Sequence, residues 1–398
     1  MNILFLTMNP FTVVDMHNIY SDLMLEFIRH GHRPYIVTPR EKKLGEKTEL
    51  VEYEDYGILK VQVGNTFGVG LIEKGVSLVM LSGQYYRAVK KYLGKMEFGL
   101  MLYSTPPITL AGPVKKLKKL FGCPTYLMLK DIFPQNAVDL GMFSRKNPIY
   151  AYFTAKERML YQQSDRIGCM SQANVEFLKK NHLQIPTEKI QICPNGILPS
   201  PVTSREAEKQ ALREKYAIPP EATVYLFGGN LGKPQAIDHL VECLKQNQNR
   251  NDRYFIICGS GSEFCLLERF FAEHRPVNMQ LISFLPKAEY DVLVRGCDVG
   301  LLFLDKRFTI PNYPSRILTY MEYGIPVIAC TDRNTDVGTD AYENGYGLWC
   351  ESTDPAEFTA CVEKMNHADQ VAMGAAARTY LEQNFTAAHC YQIMMENK

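Results

Sequence analysis

The stretch that decides the fold, residues 308–329, reads F-T-I-P-N-Y-P-S-R-I-L-T-Y-M-E-Y-G-I-P-V-I-A. Asn312 is a residue type that caps helices, Pro314 is favoured in a first helical turn, and Gly324 suits a left-handed C-terminal cap. The apolar run 326–330 that follows is typical of a buried strand. This stretch therefore predicts a helix followed directly by a strand, the unit from which α/β folds are built.

Arg316 is an unusual residue for the first turn of that helix. The helix macrodipole disfavours a cation there by about 0.3–1 kcal/mol. The placement is explained if an anion lies between the guanidinium and the free backbone N–H groups of the helix start. A solvated surface arginine is the alternative, and Arg316 taken alone favours neither interpretation.

A second segment favours the anion site. The strand-like run 223–227 is followed at once by G-G-N-L-G-K at 228–233, and Pro234 is then predicted to open a helix. A strand, a glycine turn and a helix start form a phosphate site, because missing side chains let backbone N–H groups approach the ligand. The segment is neither a dinucleotide fingerprint nor a Walker loop, and ordinary tight-turn glycines are the alternative.

Composition limits the possible classes of protein. A chain of 398 residues suggests two domains, and a net charge of +1 gives no reason to expect a nucleic-acid partner. The 11 cysteines are scattered without a C-x-x-C pair, which favours reduced cytoplasmic thiols over a disulfide framework or zinc site. No run approaches the roughly 18 apolar residues of a membrane-spanning helix.

Strands and helices alternate in both halves of the chain. Strands are predicted at 2–7, 34–38, 99–103, 124–129, 165–170, 190–193, 223–227, 254–258, 279–284, 298–304 and 326–330. The polar stretch 198–208, with its prolines and serines, predicts a linker between domains. Two successive series of this kind imply two doubly wound sheets, with ligands bound at the carboxyl ends of the strands.

Seven segments, taken in order, resemble the retaining glycosyltransferases of family 4, and within them the capsule and O-antigen subgroup similar to WbuB and CapL. They are H-G-H-R-P-Y-I-V-T-P (30–39), S-T-P-P (104–107), K-D-I-F-P-Q (130–135), P-N-G (194–196), G-N-L-G (229–232), I-I-C-G-S-G-S-E (256–263) and P-S-R-I-L-T-Y-M-E-Y-G-I-P-V-I-A (314–329). The resemblance implies the GT-B fold, with two Rossmann-like domains facing across a cleft. Residues 1–200 would bind the acceptor, residues 201–375 the nucleotide-sugar, and the helical segment 376–398 would pack back toward the first domain.

The resemblance also implies that a UDP-sugar donor binds mainly to the second domain. It assigns Gly229, Asn230, Gly232, Lys233, Ser315 and Arg316 to the diphosphate, and the backbone of Phe284, Leu285 and Pro286 to the base. Arg316 would act catalytically by neutralising the charge that develops as the glycosidic bond breaks. No D-x-D pair follows a strand, so we expect no essential metal and no cofactor beyond the nucleotide-sugar substrate.

The chain departs from the family at two positions. Many relatives carry two glutamates eight residues apart for the donor sugar and the ribose, where this chain has Pro311 and Thr319. Thr319 would hold one ribose hydroxyl, and Asn312 and Tyr313 are candidate substitutes for sugar contacts. Core packing is the alternative for Tyr313, and Glu322 is expected to face solvent.

On the acceptor side, Asp131 matches the subgroup's aspartate after the strand 124–129, and Lys130 takes the place of the histidine of many relatives. The carboxylate would orient an acceptor hydroxyl or take its proton. A cap of the following turn is the alternative role for Asp131. The family's acceptors are glycans linked to polyprenyl diphosphate.

Residues 113–121 form a short basic amphipathic pattern in the first domain. Val114, Leu117, Leu120 and Phe121 alternate with Lys115, Lys116, Lys118 and Lys119. A helix of this kind binds anionic lipid, and each lysine near the surface contributes about 1 kcal/mol. An ordinary surface helix packed on the sheet is the alternative.

Two function classes remain open. The first is a transferase that moves a hexose, an N-acetylated amino sugar or a deoxy sugar to a lipid-linked glycan, in the cytoplasm at the inner face of the plasma membrane. The second is a weakly active or inactive partner subunit, suggested by the missing glutamates. A dinucleotide oxidoreductase is disfavoured, because no glycine fingerprint follows the first strand.

Overall fold

The predicted alternation of strands and helices is present in the computed structural model, which describes residues 1–14, 16–65 and 68–396. The chain divides into two units. The first unit comprises Met1–Leu198 together with the segment that begins at Ala387, and the second comprises Pro199–Thr386. Each unit has its own sheet and its own apolar core.

The first unit is an α/β layer structure. Its elements are β1 (Asn2–Leu6), α1 (Ile19–Arg29), β2 (Arg33–Glu41), β3 (Glu49–Glu52), β4 (Gly57–Val63), α2 (Leu71–Leu93), β5 (Leu100–Ser104), α3 (Ala111–Phe121), β6 (Thr125–Leu129), α4 (Gln135–Asp139), α5 (Pro148–Gln163), β7 (Arg166–Cys169), α6 (Gln172–Asn181) and β8 (Ile190–Ile192). The strand order is β3-β4-β2-β1-β5-β6-β7-β8, and β3 alone among these described strands runs antiparallel, against β4. The order reverses at β1, as expected for a doubly wound sheet.

The second unit repeats this plan. Its elements are α7 (Glu206–Tyr216), β9 (Thr223–Asn230), α8 (Ile237–Asn247), β10 (Arg253–Ser260), α9 (Phe264–His274), β11 (Met279–Ile282), α10 (Lys287–Gly296), β12 (Val299–Phe303), α11 (Arg316–Glu322), β13 (Val327–Thr331), α12 (Val337–Glu343), β14 (Gly347–Glu351), α13 (Pro355–Asn366) and α14 (Gln370–Asn384). The strands are parallel in the order β11-β10-β9-β12-β13-β14. The strand order reverses at β9, whose carboxyl end carries the glycines noted in the sequence.

The C-terminal part of the chain differs from the predicted boundary at residue 376. Residues 376–384 continue α14 in the second unit, where Arg378 donates hydrogen bonds to the backbone oxygens of Glu322 and Ser200 at 2.7 and 2.9 Å. The return to the first unit is made by α15 (Ala387–Met395), whose Tyr391 ring stacks on His30 with centroids 4.0 Å apart. The first unit is therefore completed by a helix from the far end of the chain.

The strands β3, β4 and β14 were not among the predicted elements. In β4 the burial alternates only in its second half, and β3 is exposed or half-buried throughout, so neither has a long apolar run. Pairing with an already formed sheet edge, which a local pattern does not reveal, positions these strands. No helix in the described part of the chain is long and apolar enough to cross a membrane.

Candidate active site

The helix that carries Arg316 begins later than the sequence suggested. α11 starts at Arg316 itself, with Ser315 at the N-cap position and no side-chain cap. Asn312, the predicted cap, instead donates its backbone N–H to Thr335 Oγ1 at 3.1 Å. Two prolines explain the shift, since Pro314 disfavours helical geometry at Tyr313 and Pro311 keeps the preceding chain out of a helix. Gly324 does adopt the predicted left-handed conformation, with φ of 62°.

The Arg316 side chain lies against the end of the second unit's sheet. Its Cζ is 4.6 Å from the ring centroid of Phe227, and it would lie 3.7 Å from a Cβ built at Gly229. Arg316 Nη1 is buried and donates no hydrogen bond to any residue that the structure describes. The solvated-surface alternative for Arg316 is therefore wrong, although the residue as a whole is only partly buried.

Burial also acts on the charge of Arg316. Desolvation lowers the pKa of the guanidinium, while the hydroxyls of Tyr320 and Tyr290 act in the opposite direction. An arginine remains cationic in proteins, because its ordinary pKa lies far above neutral pH. A buried cation with a free donor is costly unless an anion completes its hydrogen bonds. This arrangement therefore suits a ligand oxygen that carries negative charge.

The glycine segment is a strand end and not the turn that was predicted. Gly228, Gly229 and Asn230 belong to β9 and pair in register with Cys258, Gly259 and Ser260 of β10. Gly229 has φ of 116°, a conformation that residues with a Cβ rarely adopt. The backbone at this strand end is thus bare on the side that faces Arg316.

The start of the following helix was also predicted too early. Residues 233–235, which include Pro234, form a single 3-10 turn, and α8 begins at Ile237 after Ala236 in a left-handed conformation. Gly232 is buried, and its neighbour Asn230 donates from Nδ2 to Gln235 Oε1 at 3.0 Å. Lys233 is exposed and makes no salt bridge with the described residues.

A cavity of about 560 Å³ opens at this edge of the second unit. It is lined by Gly229, Asn230, Cys258, Gly259, Ser260, Phe284, Leu285, Lys287 and Tyr290. Four of these, Gly229, Asn230, Phe284 and Leu285, were assigned to the donor from the sequence. Phe284 is 70% exposed, so its ring is available to stack on a planar ligand group.

Tyr290 is a pocket residue that the sequence reasoning missed. Its hydroxyl lies where a Cβ of residue 228 would be, so this position of β9 tolerates only glycine without rearrangement. Tyr320 Oη donates to Leu226 O at 3.0 Å, and both tyrosines contribute to the charge environment of Arg316. Tyr290 lies more than 60 residues after Gly228 in sequence. Only the packing of α10 on the sheet brings the two residues together.

Of the remaining predicted donor residues, Thr319 and Ser315 have hydroxyls that are available. Thr319 is half-buried and lies three positions after Arg316, on the same face of α11, and Ser315 is exposed. Neither hydroxyl hydrogen-bonds to a residue that the structure describes. Both could therefore contact a ligand held by Arg316.

Two other expectations for this segment are corrected. Tyr313 is buried, donates from Oη to Asp340 Oδ2 at 3.2 Å, and packs on Phe385, so the core-packing alternative holds. Glu322 does not face solvent: it is 6% exposed, and its Oε1 accepts from the Ser200 N–H at 2.9 Å. Contacts with distant segments decide both orientations.

In the first unit, Asp131 follows β6 in a polar turn. Thr105 Oγ1 accepts from the N–H of Lys130 at 3.0 Å and of Asp131 at 3.3 Å, which fixes the backbone there. The Asp131 carboxylate itself accepts no hydrogen bond from any described residue. α4 begins after Pro134 without a side-chain cap, so the turn-cap alternative is not supported. Burial raises the pKa of Asp131 to about 6.

The lysine helix, α3, is partly structural. Val114 and Leu117 are fully buried, and Lys118 Nζ forms a salt bridge with Asp165 at 2.7 Å while donating to Gln163 O at 2.9 Å. Lys118 is therefore half-buried and paired within the first unit, and it is removed from the predicted membrane-contact set. The side chains of Lys115, Lys116 and Lys119 are exposed.

The chain is similar in sequence to proteins named as glycosyltransferases. The family model described as "Glycosyl transferases group 1" matches residues 208–380. The chain is similar to the probable glycosyltransferase WbjE of Pseudomonas aeruginosa, with 23% identity over 72% of this chain and 71% of that protein. It is also similar to the putative colanic acid biosynthesis glycosyl transferase WcaI of Escherichia coli K12, with 22% identity over 58% and 57% of the two chains.

Solved structures share the fold. Sucrose-phosphate synthase from Thermosynechococcus elongatus matches with a TM-score of 0.74 and 13% identity, covering 99% of this chain and 97% of that chain. HepE of Anabaena, crystallised with UDP and glucose, matches with a TM-score of 0.64 and 16% identity, covering 99% and 98%. The two units thus have the GT-B fold, and residues 208–380 match the family model of glycosyl transferases group 1.

Proposed function

We propose that this protein transfers a sugar from a UDP-sugar to a lipid-linked glycan during the synthesis of a bacterial surface polysaccharide, with retention at the anomeric carbon. The observation that carries the proposal is Arg316, whose buried Nη1 is free among the described residues and lies beside the bare backbone of Gly229. A diphosphate supplies the charge and the acceptor oxygens that such a site requires.

The pocket supports a nucleotide-sugar donor. Phe284 and Leu285 would hold the base, and the strand ends at Gly229 and Ser260 would lie along the sugar and the diphosphate. The solved complexes of HepE with UDP and glucose and with UDP-glucose, at 16% and 14% identity, favour a uridine nucleotide. The sugar would be a hexose or an N-acetylated or deoxy sugar.

The chemistry would depend on charge at the departing phosphate. In a retaining transfer on one face of the sugar, Arg316 stabilises the diphosphate as the glycosidic bond breaks. In the first unit, Asp131 would orient an acceptor hydroxyl or take its proton. Because Arg316 supplies the positive charge, we expect transfer to continue in the presence of EDTA.

Our proposals for the acceptor and for the cellular location are based on the names of relatives and on the family resemblance. WcaI is named for colanic acid biosynthesis, and the resemblance noted in the sequence is to enzymes that extend glycans on polyprenyl diphosphate. We therefore propose a polyprenyl-diphosphate-linked glycan as the acceptor. The protein would act from the cytoplasm at the inner face of the plasma membrane.

UDP release, assayed with bacterial membranes and a panel of UDP-sugars, tests the proposal. Release should depend on one donor and on the membranes, and Arg316→Ala should abolish it. Arg269→Ala is the matched control, because Arg269 is an exposed arginine of α9 in the same unit. Binding of UDP without release from any donor would instead favour the inactive partner subunit.

A further inference from the structure

A basic groove lies between α3 and α5 in the first unit. It encloses about 610 Å³ and is lined by Lys115, Arg145, Tyr150, Ala151, Thr154, Ala155, Arg158, Met159, Gln162 and Gln163. We call this surface the α3–α5 groove. Its lining includes neither Asp131 nor any of the residues assigned to the donor.

The charges of the α3–α5 groove have one sign. Its charged lining residues are Lys115, Arg145 and Arg158, and none of them forms a salt bridge with a described residue. Arg145 Nη2 donates to the neutral Gln135 Oε1 at 3.0 Å, which positions the guanidinium without neutralising it. Three cations that converge on one cavity favour an anionic ligand.

The sequence concentrates positive charge here. Residues 111–121 and 141–163 together carry eight lysines and arginines and a single acid, Glu157, whereas the whole chain has a net charge of only +1. Glu157 is 4% exposed and accepts from Tyr161 Oη at 3.0 Å, so it faces the interior and away from solvent. The positive field of the groove is therefore not compensated by its own segment.

Thr154 adds a directional donor. Its Oγ1 is buried and has no hydrogen-bond partner among the described residues, and the residue lines the groove between Arg158 and Tyr150 on the same face of α5. An unpaired buried hydroxyl destabilises a fold unless a ligand completes its hydrogen bond. A hydroxyl beside guanidinium and ammonium groups matches the acceptor oxygens of a phosphate.

Apolar side chains are exposed along the same segment. Met142 is 66% exposed, Ile149 51% and Tyr152 42%. Met142 precedes Arg145 by three residues, and the other two directly flank Tyr150 and Ala151. Exposed apolar groups beside cations are typical of surfaces that enter the headgroup region of a bilayer. A soluble phosphate or a nucleic acid would require the cations but not these side chains.

We infer that the α3–α5 groove binds the phosphate headgroup of an anionic membrane lipid, while Met142, Ile149 and Tyr152 contact the acyl boundary. The inference deepens the proposed function, on which it rests, by naming how the protein reaches a lipid-linked acceptor. It moves the membrane contact from α3 alone to a built site whose main cations are Arg145 and Arg158.

Co-sedimentation of the full chain with vesicles tests the inference without any sugar donor. Binding should require phosphatidylglycerol in phosphatidylcholine vesicles and should weaken as salt is raised. Arg145→Gln combined with Arg158→Gln should weaken binding about 25-fold, at about fivefold per cation. Lys42→Gln with Lys47→Gln is the matched control, since both lysines are exposed next to β2, toward the opposite edge of the same sheet, and should change binding less than twofold.

Thr154→Val separates a built site from diffuse attraction, because it removes one hydroxyl and leaves shape and net charge unchanged. We expect vesicle binding to weaken about 2- to 10-fold. Equal binding by Thr154→Val and the unaltered protein, or equal effects of the arginine and lysine pairs, would overturn the inference. The inference would also be overturned if the protein did not bind vesicles but bound glycerol 3-phosphate, and if these substitutions weakened that binding.

Calorimetry with UDP keeps the two proposals apart. UDP affinity should be the same in the unaltered protein and in every groove variant, because the groove and the donor pocket lie in different units. Vesicle binding without any UDP binding would leave the groove in place and overturn the proposed donor.

Discussion

The guanidinium of Arg316 lies over the ring of Phe227, with Cζ 4.6 Å from the ring centroid. The aromatic face attracts the cation but accepts no conventional hydrogen bond from its N–H groups. Phe227 therefore attracts the guanidinium without occupying Nη1, which stays available to a ligand. The same residue pair explains why Arg316 Nη1 is buried and still makes no hydrogen bond with the described residues.

Arg316→Ala should weaken UDP binding by about 1.5–3 kcal/mol, the usual contribution of a charge-assisted hydrogen bond. Arg316→Lys should recover part of this loss, because it keeps the charge without the planar fork. Isothermal calorimetry of the folded variants measures both effects. An unchanged UDP affinity in Arg316→Ala would remove this residue from the donor site.

Gly228→Ala should destabilise the protein by about 1–3 kcal/mol, because the added methyl group overlaps the hydroxyl and ring of Tyr290. Tyr290→Phe in the same chain should return part of the loss by removing the hydroxyl. Denaturant unfolding of the variants measures the changes. Gly83→Ala, in α2 with open space around its Cβ, is the control and should stabilise.

Asp131→Asn should lower turnover by about 10²–10⁴-fold if the carboxylate acts on the acceptor, and it should leave UDP affinity unchanged. Since burial raises the pKa of Asp131 to about 6, activity of the unaltered protein should fall as the pH drops through 6 and the carboxylate is protonated. The pH dependence of turnover, measured over pH 5–8, checks this expectation.

The same substitution should change stability in the opposite sense. A carboxyl whose folded-state pKa exceeds its ordinary value of about 3.9 stabilises the fold only at low pH, and stability is lost as the pH rises toward 6. Asparagine does not titrate, so the melting temperature of Asp131→Asn should exceed that of the unaltered protein at pH 7.5 and approach it near pH 4. Normal turnover with an unchanged melting temperature would assign Asp131 to structure.

A donor panel should show preference for an N-acetylated or deoxy sugar over glucose. Thr319 and Pro311 stand where many relatives have carboxylates, so neutral side chains and backbone groups would hold the sugar. Competition between UDP-N-acetylhexosamines, deoxy analogues and UDP-glucose measures the preference. A clear preference for UDP-glucose would reverse this expectation.

Lys118→Gln should cost about 1 kcal/mol of stability, whereas Lys119→Gln should be neutral, because only Lys118 pairs with Asp165. Burial would raise the pKa of Asp165, but hydrogen bonds from Lys118 and Thr125 outweigh it and lower the pKa. This stabilisation is present above pH 4 and should disappear as acid protonates Asp165. Chemical unfolding at pH 7 and pH 3 tests the difference.

The sequence predicted the elements whose signals are local. Apolar runs located most of the central strands, and the left-handed glycine at position 324 marked a helix end. The cap assigned to Asn312 was wrong because the prolines on either side of it outweighed the capping signal. The glycine segment at 228–230 was placed correctly but given the wrong conformation, since pairing with β10 extends the strand through it.

Contacts between distant segments account for the rest. The sequence indicates a solvated helix residue at Glu322, but its carboxylate accepts a hydrogen bond from the N–H of Ser200, more than 100 positions away. Tyr290 and Arg158 become site residues only through the packing of α10 and α5, and no spacing rule marks them. The sequence does not distinguish Lys118 from the other lysines of α3. Its salt bridge with Asp165 does.

The return of α15 to the first unit affects the order in which the protein is completed during synthesis. Cys390 and Met394 are buried in the same core as Phe27, and Tyr391 Oη lies 3.0 Å from His32 Nε2. A ribosome must therefore translate all of the second unit before it synthesises α15, the last helix of the first unit. Domains usually fold in the order in which they emerge. Here the unit that begins the chain is the last to be finished, and every nascent chain that stops short of Ala387 carries an uncovered apolar face on α1.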